Sequence, residues 1–307
     1  MPASAECFFL PAGATAANAA DQRFCVFYAA QGPTARALVL YIHPFSEEMN
    51  KARRMAALQA RALAQAGCAV LQIDLLGCGD SSGDFGDATW QSWVNDVVRG
   101  SRWLHQRHHA PGPQGRNPPL WLWGLRAGCL LAVEAASQMS EPCHLLFWQP
   151  PPAGRPLLQQ FLRLKAAADL QSNQAKNVMA GLRQQLNEGS PVEVAGYQLA
   201  PELARGLEQS VLLPGPATKP GRLEWFEMST RTNAVLSPAS NEALTQWQQR
   251  GFEVRSRLIN GPAFWQSAEI EDVPALITAT TAAVAFGSTQ GVSSTFHCAA
   301  GAEVLAA

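Results

Sequence analysis

The stretch "PPLWLWGLRAGCLLAVEAA", residues 118–136, decides how the chain is read. "LWLW" is a short apolar run of strand length. "GLRAG", residues 124–128, is a turn bracketed by two glycines. "AGCLLAVEAASQM" then runs on in small and leucine-like residues, as a buried helix does. The spacing predicts a strand, a tight crossing and a helix, with Arg126 at the apex.

The flanks repeat the rhythm. "ALVLYIH" (37–43) reads as a strand buried on both faces. "KARRMAALQARALAQAG" follows as a helix whose Met55, Leu58, Ala62, Leu63 and Ala66 share a face, with Gly67 as its stop. "CAVLQIDLL" (68–76) is the next strand, and the turn-rich "GCGDSSGDFGDA" leads to a helix capped by Thr89. That helix carries Trp90, Trp93, Val94, Val97, Ser101 and Leu104 at helical spacing. "HAPGPQGRNPP" reads as a surface loop and "CHLLFWQP" (143–150) as a further strand. Strands alternating with amphipathic helices predict a mostly parallel sheet covered on both faces.

Residues 155–215 change character. They are rich in Gln, Leu and Ala and read as helices, with no strand before "PVEVAGYQL". They are expected to form a helical lid inserted into one core, built from 1–154 and 216–286. That second part reads as "GRLEWFEMS" (strand), "NEALTQWQQRG" (helix), "FEVRSRLI" (strand) and "PALITATTAAVAF" (helix), with Pro274 in the last helix's first turn. The tail 287–307 is small and polar and is expected to be disordered.

Bulk properties set limits. The chain has 307 residues, 47% hydrophobic and 15% charged, with a formal charge of −1. That composition is globular, and the charge gives no general affinity for nucleic acid or an anionic membrane. Apolar runs break well short of the roughly 18 residues that span a bilayer, so no stable membrane insertion is expected. The N-terminus has no basic region before its short apolar patch and reads as a poor secretory signal. Seven cysteines lack any C-x-x-C pair. An odd count without a framework favours a reducing cytoplasm. No cofactor or metal site is expected.

In open parallel sheets, ligands bind beyond the carboxyl ends of the strands. Four segments should converge there. "IHPFSEEMNKARRM" packs Glu47, Glu48, Lys51, Arg53 and Arg54 into one turn; its acids either stabilise a helix start or serve a functional loop. His43 reads as a hydrogen-bonding strut rather than a base. In "DLLGCGDSSG", Asp74 and the glycines read as structural. Asp80 and Ser81 read first as cap or turn residues, with contact to a ligand as the alternative, and nothing places a base beside Cys78. The third segment is "GLRAG". In a strand–turn–helix crossing of this kind, G-x-S-x-G carries the nucleophile of α/β-hydrolases, but here the centre is arginine. A guanidinium stays protonated, donates hydrogen bonds and does not attack carbonyls. At a helix N-terminus it needs an anion beside it. Two sources are open: an internal ion pair with Glu47 or Glu48, or the carboxylate or phosphate of a ligand. The fourth segment is where a triad's acid and histidine would lie. "FEMSTRTN" offers Glu227 and no aspartate, and "INGPAFWQSAEIED" has Phe264 and Trp265 where a histidine is sought. His144 lies at the wrong end of its strand and His297 in the tail.

With those residues in view, "HPFSEEMNKARRM", "QIDLLGCGDSSGDFGDATW", "WGLRAG" and "NGPAFWQSAEIE" resemble the exosortase A system-associated hydrolases of the kind called hydrolase 2, over about residues 5–285. The resemblance implies an α/β-hydrolase fold. It also implies a setting beside exopolysaccharide synthesis and PEP-CTERM protein sorting in Gram-negative bacteria, with proteins of that system as partners. The chain departs from the hydrolase pattern at Arg126 and around Phe264 and Trp265. The expected binding residues are His43, Phe45, Asn50, Arg53, Asp80, Ser81, Leu125, Phe264 and Trp265. Two functions remain open. One is hydrolysis of an ester, thioester or acyl-glycan in which Glu47 or Glu48 activates water and Arg126 stabilises an oxyanion. The other is a retired fold that binds an anionic or acylated molecule, or a partner protein, without turnover.

Overall fold

The computed structural model describes residues 5–12, 21–108, 117–168 and 175–286. Residues 109–116 of the expected surface loop, the expected tail at 287–307 and His297 lie outside them. Eight strands form one sheet: β1 (Ala5–Pro11), β2 (Gln22–Tyr28), β3 (Ala37–Ile42), β4 (Cys68–Ile73), β5 (Leu120–Leu125), β6 (His144–Trp148), β9 (Arg222–Ser229) and β10 (Glu253–Asn260). Their spatial order is β1-β2-β4-β3-β5-β6-β9-β10. β2 runs antiparallel to both neighbours, and every other pairing is parallel.

The central strands are apolar at every position because both faces are covered. Leu38, Leu40 and Ile42 point to one side and Val39 and Tyr41 to the other. The first side packs on α2 (Trp90–Arg107), α3 (Ala127–Ser137) and α7 (Pro238–Gln249); the second packs on α1 (Glu47–Gln65) and α8 (Pro274–Ala285). Six tryptophans, Trp93, Trp121, Trp123, Trp148, Trp225 and Trp247, are fully buried between these layers.

Local chemistry sets the helix ends. The Thr89 hydroxyl accepts from the Ser92 N–H at the start of α2, and Pro274 lies in the first turn of α8. In α1 the buried face is centred on Ala52, Ala56, Gln59 and Leu63. Met55 and Leu63 of the expected face are buried, while Leu58, Ala62 and Ala66 are half-buried. The sequence reading shifted that stripe because it gave Gln59 no place inside; its amide donates to Thr281 Oγ1 on α8 at 2.9 Å.

Between β6 and β9 lie α4 (Gly154–Ala168), α5 (Ala175–Asn187), a hairpin of β7 (Val192–Val194) and β8 (Tyr197–Leu199), and α6 (Pro201–Gln209). The hairpin turns through Ala195 and Gly196, both at positive φ. The antiparallel edge made by β1 and β2 has no counterpart in the sequence reading.

Candidate functional site

The β5–α3 crossing sits at the carboxyl edge, in the middle of the sheet. Arg126 occupies its apex at φ 55° and ψ −116°, a region that L-residues adopt only when their surroundings over-determine it. The surroundings do so. The Arg126 N–H donates to Trp148 O at 3.0 Å, and its carbonyl accepts from the Cys129 N–H at 3.0 Å. A Cβ on Gly124 would lie 2.5 Å from the Cys129 nitrogen, and one on Gly128 would lie 2.2 Å from the Ile42 carbonyl oxygen. The glycines are what let backbone meet backbone here.

The guanidinium turns towards α1. Its Nε and Nη2 donate to the two carboxylate oxygens of Glu48 at 3.4 and 3.3 Å. Nη2 also donates to Gln160 Oε1 of α4 at 3.1 Å. The cation lies 5.9 Å from the ring centre of Trp265, and Gln266 Nε2 donates to Glu48 Oε1 at 3.2 Å. The Arg126 and Glu48 side chains are 13% and 11% exposed, so this is a buried polar cluster drawn from four elements. Both α1 and α3 begin here without a side-chain cap. Their N-termini favour an anion and oppose a cation, and the Glu48 carboxylate answers both. Beside it, Ser46 at φ 48° donates its hydroxyl to Glu47.

The ion pair is longer than the ~2.7–2.9 Å of a strong charge-assisted bond. Burial outweighs it, and the Glu48 carboxyl is held above the usual carboxylate range, with the Arg126 charge opposing. A carboxyl raised in the fold stabilises fully below the unfolded value, about 4.3, and loses that contribution as pH rises through the folded value. Glu48→Gln should therefore flatten the decline in stability above about pH 4.3. Urea unfolding of both proteins across that range checks it; parallel curves would show that Glu48 carries no raised pKa.

The expected binding residues fall into separate places. Phe45 joins an aromatic cluster with Phe85, Trp93 and Phe161. Together with Glu47, Glu48, Leu157 and Gln160, Phe45 and Phe161 enclose about 20 Å³ at the elbow, room for about one water. Phe264 and Trp265 are buried in the core on the α1 and α8 face of the sheet. Leu125 is buried in the core rather than at the mouth. His43 accepts the Leu75 N–H at Nε2 (3.3 Å) and donates from Nδ1 to Pro44 O (2.8 Å); both nitrogens are engaged. Arg53 pairs with Asp74 at 3.1 Å. The structure does not bring Asn50, Asp80 or Ser81 to the elbow. Asn50 is exposed on α1 and Asp80 on its turn. Ser81 turns inward, donating to Asp74 O at 2.5 Å and accepting from the Phe24 N–H at 2.9 Å. Cys78 is buried, and burial pushes its thiol up. Glu227 accepts from Trp225 Nε1 at 2.8 Å.

Sequence reasoning missed Gln160 and Gln266. Neither titrates, and no periodicity or motif marked them.

The strand order and the sharp crossing at the centre of the sheet define the α/β-hydrolase fold. The chain is similar to Est1E from Butyrivibrio proteoclasticus, solved with ferulic acid bound (16% identity, 85% of this chain and 93% of that one, TM-score 0.59). It is also similar to a thermostable carboxyl esterase from Bacillus coagulans (13%, 84% and 90%, TM-score 0.54). A third likeness is to an α/β serine hydrolase without a lid from Xanthomonas campestris (13%, 92% and 93%, TM-score 0.51). At these identities the likeness is one of fold. No family model matches the chain, and no curated protein matches it. Among the described residues, no helix is long and apolar enough to cross a membrane.

Proposed function

We propose that this chain is an α/β-hydrolase-fold protein without serine-type chemistry that holds an anionic or acylated ligand at its elbow. Arg126 is the anchor, and Glu48 stands in for the ligand's anion when none is bound. One observation carries the reading: a guanidinium sits at the apex, where this fold class presents its nucleophile, loosely paired to a carboxylate of the neighbouring loop. In this reading α4, which contributes Leu157, Gln160 and Phe161 to the elbow, belongs to a lid over residues 155–215 and must shift to admit a ligand. The sequence resemblance supports a place beside exopolysaccharide synthesis and PEP-CTERM sorting, on the cytoplasmic side, with proteins of the exosortase system as partners.

The test has two arms. A fluorophosphonate probe should leave the protein unlabelled, and short acyl esters and thioesters should not turn over. Octanoate should raise the melting temperature of the wild type where octanol does not, and Arg126→Ala should abolish that rise. Arg126→Ala itself should lose about 2 kcal/mol, because Glu48 can protonate once its partner is gone. Failure of octanoate to protect the wild type removes the ligand-anchor role.

A second reading rests on Glu48. Its raised carboxyl pKa is the direction a general base for water needs, with Arg126 as oxyanion donor. Turnover of an acyl ester that disappears in Glu48→Gln would establish it in place of the first.

A further inference from the structure

A larger cavity, about 210 Å³, lies between α1 and the face of β2, β4 and β3. It shares no lining residue with the pocket at the elbow. Its walls are apolar: Phe24 and Val26 from β2, and Met49, Ala56 and Ala57 from α1. Its floor is a row of side chains across the sheet. Val26 pairs in register with Gln72, and Gln72 with Tyr41.

Two polar groups in that row have nothing to bind. Gln72 Nε2 is buried with no hydrogen-bond partner among the described residues. Tyr41 also lines the cavity, and its hydroxyl, which is not sealed from solvent, makes no hydrogen bond among the described residues. Buried polar groups are usually satisfied, and each exception calls for a reason. Charge at the rim is balanced, since Arg53 and Asp74 pair at 3.1 Å. His43 has committed both nitrogens elsewhere.

We infer that this cavity is a binding site for a small uncharged amphipathic molecule, a phenol or compact alcohol, whose oxygen meets Tyr41 and Gln72. Size agrees. An apolar cavity of about 150 Å³ holds benzene, so the present volume takes a substituted ring. Chemistry agrees as well. The phenol oxygen shares a hydrogen bond with the Tyr41 hydroxyl in either direction, and it accepts from the Gln72 amide once that side chain turns towards it. No charge on the ligand is called for, because none is left uncompensated at the rim.

The test is calorimetric titration of the full chain with p-cresol and, separately, with toluene. The wild type should bind one p-cresol per chain. Tyr41→Phe should weaken p-cresol about fivefold, the worth of one hydrogen bond, while toluene binds both proteins equally. Ala57→Leu projects a side chain into the cavity and should abolish both. Tyr41→Phe removes a hydroxyl without a partner and should fold at least as stably as the wild type, so it remains informative if Ala57→Leu does not fold. The inference is overturned by wild-type protein that does not saturate with p-cresol, by equal p-cresol affinity in Tyr41→Phe, or by binding that persists in folded Ala57→Leu.

Discussion

Gly128→Ala is expected to lose more than about 4 kcal/mol and to leave little native protein at ordinary temperature. The added carbon would lie 2.2 Å from the Ile42 carbonyl oxygen and 2.9 Å from that of His43. Both obstacles are backbone at the end of the central strand, so no side-chain rotation relieves them. α3 would have to move away from β3, and the Gly124 approach to Cys129 would open with it. Ordinary overpacking of a core costs about 1–3 kcal/mol; a clash with fixed backbone exceeds that. Chemical denaturation measures the loss. A Gly128→Ala protein within about 1 kcal/mol of the wild type would mean that the crossing is wider than described.

The second large effect lies on α2. Asp96 is fully buried and accepts from Arg23 Nε at 2.7 Å, Arg99 Nη1 at 2.5 Å and the Leu76 N–H at 2.9 Å. Arg23 is itself 3% exposed. This carboxylate ties β2 to α2 and to the turn after β4. Asp96→Ala should cost about 3–5 kcal/mol, because it leaves a buried guanidinium short of its partner. The half-exposed Asp21, 2.6 Å from Arg23, keeps the loss towards the lower figure. Replacing both members of the closest pair, Arg23→Met with Asp96→Leu, should recover part of it, since no guanidinium is then stranded at position 23, while Arg99 and the Leu76 N–H still lose their acceptor. Equal stability of the single and double variants would show that the charges are not coupled.

Much of the fold was legible in the sequence. Period and length placed the parallel strands, since "ALVLYI" and "LWLWGL" are apolar at every position only when helices cover both faces. The edge was harder. β1 alternates with exposed and half-buried residues such as Phe9, a pattern too weak to separate from a loop. The elbow was legible because its two glycines bracket a fixed number of residues between a strand and a helix. Its partners were only half so. Glu48 was named together with Glu47, and the two differ by about 100° around a helix, which no charge pattern resolves. Gln160 and Gln266 meet the site from segments far apart in the chain, and only the folded chain brings them there. Asp80 and Ser81 drew notice by residue type, yet Ser81 serves its own turn.

The pins that hold Arg126 at its strained angle are main-chain bonds to Trp148 and Cys129 and the bare glycines beside them. None of them involves what the side chain at 126 carries. The backbone of the apex is thus a perch indifferent to its occupant, and a reactive group engineered there would stand at the centre of the sheet's rim without redesign of the loop beneath it.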